Sequence, residues 1–249
     1  MNYIVSGIIK FQEESKLKLL DNNKLIFYSP RSIQTVITPT ETKDLNVEFT
    51  FTATNENEAG IIAELELERI SNLISYFHTV PILEYRIDSI SSQSQNAPNK
   101  KSVKISVSIV GKASISVVKG LGVESLNKLK DKLEKVYPED FEEIIQMWCQ
   151  AISEKSQISK YLLLYRILEL LFEQNTDQLT NWIKRIEPKV PIYEDRRRGG
   201  YTIYTYLRDC LHPKAERRIF PVKEVSENLP KLQNLIYKKI REQYGESVY

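Results

Sequence analysis

Apolar and polar positions alternate through the first part of the chain, and that period-two rhythm predicts strands. Asn2 to Phe11, Lys24 to Ser29 and Ile33 to Thr38 are β-branched and aromatic runs divided by Asp-Asn and Ser-Pro breaks. Val47, Phe49, Phe51 and Ala53 then interleave with Glu48, Thr50 and Thr52, the pattern of a half-buried strand. From Asn55 the spacing becomes helical. Asn55 is placed to cap a first turn with Glu58 reaching back to it, and Ile62, Leu65, Ile70, Leu73, Ile74 and Phe77 form the apolar stripe of a helix that stops before Pro81. Strands resume over residues 83–91. The polar run Ser91 to Lys101 reads as a hairpin loop, Val103, Ile105, Val107 and Ile109 alternate again, and Ala113 to Val118 predicts one more strand.

The pattern changes at Gly120-Leu121-Gly122, which reads as a hinge. Beyond it the periodicity predicts helices and no strand. Val123 to Val136 carries Leu126, Leu129 and Leu133 on one side, and a helix entered at Pro138 carries Phe141, Ile144, Ile145 and Trp148. Gln157 to Phe172 is apolar nearly all round, which predicts the central helix of a bundle, interrupted by Arg166 and Glu169. A short helix over Asn175 to Ile186 precedes a loop bracketed by Pro188 and Pro191. A fifth helix runs through YTIYTYLRDCLH and a long sixth spans Val222 to Tyr244. The expected fold class is α+β: a mostly antiparallel β-sheet domain with one long helix over residues 1–120, then an all-α helical bundle over residues 121–249.

A length of 249 residues suits one large domain or two small ones. The formal net charge of +2 does not by itself announce a nucleic-acid partner, so its distribution matters more. Residues 1–123 hold 13 Lys and Arg against 13 Asp and Glu, whereas Lys189 to Lys223 holds 9 basic residues against 4 acidic ones. Both cysteines, Cys149 and Cys210, fall in helical patterns, which argues against a disulfide framework; ligands for a zinc site are lacking. The start of the chain has no leader-like cleavage pattern, and no run approaches the roughly 20 apolar residues of a membrane span. A cytoplasmic protein with no membrane association, no cofactor and no metal is the expectation.

The basic excess surrounds the segment RRRGGYTIYTYLRDCLHPKAERRIFP, residues 196–221. Arg208 and His212 stand four apart and so share a helix face, with Asp209 beside them and Pro213 closing the helix. A guanidinium forks onto phosphate oxygens, and a neighbouring imidazole moves protons near neutral pH. The plainer alternative is a histidine favoured by the helix dipole in a last turn and an Arg208 that pairs with Glu169 inside the bundle. Arg196, Arg197 and Arg198 precede the pair and Arg217 and Arg218 follow it, with Tyr201, Tyr204 and Tyr206 between them. Cations for phosphates beside rings for unstacked bases suit single-stranded RNA, while a solvated arginine loop and three packed tyrosines are the structural alternative. Elsewhere, His78 reads as structural, and Glu64, Glu66 and Glu68 as the solvated face of the N-terminal helix. Cys210 has no base well placed to activate it.

The helix YRILELLFE followed later by YLRDCLHP resembles the HEPN superfamily, over about residues 138–245. That family is an all-α bundle marked by an arginine, usually followed by a polar residue, and a histidine four to six residues further along. The resemblance implies a dimeric, metal-independent endoribonuclease in which two arginine–histidine pairs share one cleft and an RNA 2′-hydroxyl attacks the adjacent phosphate. Carried onto this chain, Arg208 would meet the phosphate charge, His212 would handle the proton and Asp209 would hold the pair. Toxin–antitoxin pairs and antiviral defence are settings the family occupies, so a protein partner such as an antitoxin is also implied. Here only three residues separate Arg208 from His212, and one residue turns a helical side chain by about 100°. Either His212 stands just past the helix end or the site is degenerate. A degenerate site would leave a module that binds RNA, nucleotide or a protein partner without cleaving.

Overall fold

The structure, a computed structural model, describes residues 1–11, 15–19, 24–40, 44–78, 80–92, 105–107, 117–121, 123–195, 199–211 and 221–245. The chain forms two compact units, Met1–Cys149 and Gln150–Tyr249. The class is α+β, as the patterning predicts.

In the first unit, β1 (Asn2–Phe11), β3 (Leu25–Phe27), β4 (Gln34–Pro39), β5 (Leu45–Thr52), β6 (Ile82–Ser92) and β7 (Ile105–Val107) build one antiparallel sheet in the order β3-β4-β5-β1-β6-β7. A parallel pair, β2 (Ser15–Leu19) with β8 (Val117–Leu121), was not anticipated as such; Gly120 pairs with Lys18 there and is a strand residue rather than a hinge. Along β1 the side chains of Tyr3, Val5, Ile9 and Phe11 are buried, as are Leu45, Val47, Phe49 and Phe51 of β5, so one sheet face carries the core. The helix α1 (Glu56–His78) packs against β6, β1 and β5. Gly7 permits its close approach: a Cβ there would lie 2.8 Å from the Arg86 carbonyl oxygen and 2.9 Å from Leu67 Cδ2. The buried face of α1 is Ala59, Gly60, Ala63, Leu67, Ile70, Leu73 and Ile74, whereas Leu65 of the expected stripe is exposed. At its start the Glu58 N–H donates to Asn55 Oδ1 at 2.9 Å, while the Glu58 carboxylate reaches back to the N–H and hydroxyl of Thr54, one residue earlier than a capping box requires.

Two further helices belong to this unit. The helix α2 (Val123–Glu134) contacts α1 and β3, and α3 (Glu139–Ser153), within which the division between units falls, touches α1 through side chains of its first part. Tyr76 of α1 meets Phe141 and Trp148 of α3 edge-on, with ring centroids 6.1 and 6.0 Å apart, and Tyr137 stacks on Phe141 at 4.7 Å. Residue 120 therefore marks where strand patterning ends, and the packing boundary lies some thirty residues later (149 against 120) because these aromatic rings hold α3 to α1.

A buried ion pair joins the three helices. Arg69 Nη1 donates to Glu66 Oε1 at 2.9 Å and Nε to Glu142 at 3.2 Å, while Nη2 donates to the carbonyls of Leu133 (3.0 Å) and Lys135 (2.7 Å) at the end of α2. The side chains of Arg69 and Glu66 are 4% and 1% exposed, so Glu66 is not on a solvated face. Burial raises its carboxyl pKa, against the opposing pull of Arg69, Ser29 and Arg31.

The second unit is a helical bundle with one small hairpin. The helix α4 (Gln157–Leu171) packs against α7 (Val222–Tyr244), α6 (Ile203–Leu211) and α5 (Thr176–Ile186), the central position its all-round apolar sequence predicts. Ser156 and Asn175 cap α4 and α5 by accepting from the backbone N–H groups of Ser159 and Gln178. Between α5 and α6 the expected loop contains a two-stranded antiparallel ribbon, β9 (Ile192–Asp195) with β10 (Gly199–Thr202), so the bundle is not purely helical. The Ile203 N–H donates to the Pro191 carbonyl at 2.9 Å, closing the ribbon onto the start of α6. Among the described residues no helix is long and apolar enough to cross a membrane.

Candidate functional site

Two tyrosines of α4 fix the position of α6. The Tyr161 hydroxyl donates to the Tyr204 carbonyl at 2.9 Å, and the Tyr165 hydroxyl shares a 2.8 Å hydrogen bond with Thr205 Oγ1. All of these groups are buried, and burial raises the pKa of both α4 phenols, so they remain protonated. Tyr204, Leu207 and Leu211 form the buried face of α6. Arg208, one turn beyond Tyr204, emerges at its edge.

Arg208 is the centre of a charge network. Its Nη2 lies 2.9 Å from Glu169 Oε1 on α4, its Nη1 lies 2.8 Å from Asp209 Oδ1, and its guanidinium carbon sits 5.2 Å from the Tyr165 ring centroid. Arg166 Nη1 approaches the other Glu169 oxygen at 3.3 Å, so two arginines and two carboxylates alternate. The Arg208 side chain is 25% exposed, and its Nε–H is buried with no acceptor among the described residues. The pairing with Glu169 anticipated from the sequence is thus present, in a partly open position, and Asp209 is a second carboxylate on the same guanidinium.

The other expected site residues divide into two groups. Tyr204, expected to meet RNA, is a core residue: it is 1% exposed and its hydroxyl donates to Glu187 at 2.9 Å. Burial, reinforced by that carboxylate, raises its pKa, and its ring has no open face for a base. His212, Arg196, Arg197, Arg198, Arg217 and Arg218 lie outside the described residues. Arg208 falls in the last turn of α6, whose last residue is Leu211, immediately before His212 in sequence.

Sequence reasoning missed Tyr193. It stacks on Tyr206 of α6 with centroids 4.1 Å apart and planes 3° from parallel, and Tyr201 lies 6.5 Å away across the ribbon. The signal was available only from strand pairing, which places Tyr193 directly opposite Tyr201. Both cysteines are free thiols; Cys149 donates to the Asn72 carbonyl at 3.4 Å, and burial pushes its pKa up to about 12. Among the described residues no cluster of three or more His, Cys, Asp or Glu could hold a metal ion. No protein-family model, no curated protein and no solved structure matches this chain.

Proposed function

We propose that the second unit acts on single-stranded RNA as a metal-independent, HEPN-type endoribonuclease working as a homodimer, in the setting of a toxin or an antiviral-defence effector. The observation that supports this reading is the state of Arg208. Its guanidinium is oriented from two sides by Glu169 and Asp209 and from below by the Tyr165 ring, yet it remains partly open to solvent. An arginine held this way loses little freedom when a phosphate arrives. In the reaction the RNA 2′-oxygen attacks the adjacent phosphorus and the bond to the 5′-oxygen breaks, leaving a 2′,3′-cyclic phosphate and a 5′-hydroxyl. Of the two His212 side chains in a dimer, one takes the 2′-hydroxyl proton and the other supplies a proton to the departing oxygen. Arg208 offsets charge on the phosphoryl oxygens.

A second reading is favoured by a specific observation: both terminal nitrogens of Arg208 already hold carboxylates. A phosphate then meets an arginine whose charge is already offset and which has only its remaining N–H groups to give, which suits a module that binds RNA, nucleotide or a protein partner without cleaving. Incubating single-stranded RNA with the protein in chelator separates the two. The nuclease gives cyclic-phosphate products with wild type and none with His212→Ala. The binding module gives no product with either, and retains RNA in a manner weakened by Arg197→Ala and Arg198→Ala. Cleavage that persists undiminished in His212→Ala would remove the catalytic assignment, and absence of any RNA binding would leave Arg208 as a structural pair of the bundle.

A further inference from the structure

We infer that Tyr193, Tyr201 and Tyr206 form a stacking surface for unpaired nucleobases, so that the second unit selects RNA by its exposed base faces; this rests on the RNA-directed reading above. The tyrosines of this unit fall into two sets. Tyr161, Tyr165 and Tyr204 are buried with their hydroxyls hydrogen-bonded inside the bundle. Tyr193, Tyr201 and Tyr206 are only half-buried and meet one another through their rings. Tyr193 and Tyr201 are register partners in the ribbon and therefore share a face, and Tyr206 of α6 continues that face by stacking on Tyr193 at 4.1 Å. Three rigid rings gathered at a surface provide contact area at small entropic cost. Every base has a π-face, so such a surface holds an unpaired strand with little regard to sequence, whereas a duplex keeps its base faces inside the stack.

The surface adjoins the arginine. Tyr206 and Asp209 are three residues apart, one turn of α6, and Asp209 holds Arg208 at 2.8 Å. Base and phosphate would thus be met on neighbouring parts of one nine-residue helix.

The test uses the full chain carrying His212→Ala, in chelator, with a single-stranded RNA containing 2-aminopurine and a duplex of the same sequence. Stacking predicts that 2-aminopurine fluorescence falls as the single strand binds. Tyr193→Leu should weaken single-strand affinity about tenfold while changing duplex affinity less than twofold, and Tyr193→Phe should retain binding. Should Tyr193→Leu loosen the ribbon, Tyr201→Leu and the fluorescence change with all three tyrosines intact decide the matter. A bound strand whose fluorescence is unchanged, or equal affinities for the Leu variants, overturns the stacking surface and leaves the RNA reading standing. Absence of binding to either RNA overturns both.

Discussion

Replacing Arg69 by Met tests the account of how the first unit is held together. The substitution keeps an unbranched apolar stem and removes the guanidinium that bonds Glu66, Glu142 and the carbonyls of Leu133 and Lys135. The Glu142 contact contributes least, because that carboxylate is 31% exposed and water can replace its partner. Glu66 is different: at 1% exposure it has no access to water, and only the half-exposed Arg31 guanidinium, 3.9 Å from its other oxygen, would remain to offset the buried charge. Breaking such a pair from one side costs about 3–5 kcal/mol. Converting Glu66 to Gln in the same chain removes the stranded charge and should recover about 2 kcal/mol of that loss. The chain has two tryptophans, Trp148 in the first unit and Trp182 in the second, so urea unfolding followed by fluorescence in a Trp182→Phe background reports the first unit alone.

The pH dependence has a definite sign. Burial raises the Glu66 pKa above 4.5, so the folded state binds that proton more tightly than the unfolded state does. The group's contribution to stability therefore falls as pH rises from 4.5 through the raised folded value. Without Arg69, whose charge opposes the rise, the window widens, and the variant's deficit should be largest near neutrality and shrink on acidification. A deficit below about 1 kcal/mol, or one that stays flat from about pH 5 to about pH 8, would contradict the reasoning.

Other expectations can be checked separately. Gly7→Ala places a methyl 2.8 Å from a carbonyl oxygen and 2.9 Å from Leu67, and should destabilise the first unit by about 1–3 kcal/mol in the same urea assay; an unchanged midpoint would show that α1 is free to lift. A maleimide pulse on the native protein should label Cys149 slowly and reach it at full rate only in urea, since that part-exposed residue's thiol donates to the Asn72 carbonyl and burial pushes its pKa up to about 12. Labelling of Cys149 at the same rate in native and unfolded protein would refute this. Glu169→Gln takes one carboxylate from Arg208 and should tighten RNA binding by up to about fivefold, corresponding to about 1 kcal/mol for a partly exposed pair. Weaker binding would mean that the arginine depends on Glu169 for its position more than it is masked by it.

Much of the scaffold is legible in the sequence because long periodic segments leave little choice. The strand Asn2–Phe11 and the helix Val222–Tyr244 fall on the residues that the alternation and the helical spacing select. What escapes is decided by pairing across distance. Residues 192–202 contain no run long enough to announce a strand, and the ribbon exists because Tyr193 pairs with Tyr201 and the chain closes at Pro191 and Ile203. Glu66 and Arg69 look like surface charges at i and i+3, but they share a helix face with Leu67, Ile70 and Leu73 near the core. Tyr204 and Tyr206 are chemically alike and only phase separates them: Tyr204 keeps step with Leu207 and Leu211, a spacing that pointed to the core. At the candidate site, Arg208 and its pairing with Glu169 were legible from the bundle pattern, whereas the second carboxylate contact and the ring beneath it required coordinates.

The ribbon also has a thermodynamic consequence. Two strands of four residues each are marginal on their own in water. This pair persists because a ring of β9 lies flat on a ring of α6 and because the Ile203 amide is bonded to Pro191. Its amide protons should therefore exchange with solvent in step with those of α6, as one cooperative unit whose opening free energy belongs to the helix. Any event that loosens the end of α6 near Arg208 would release the ribbon with it.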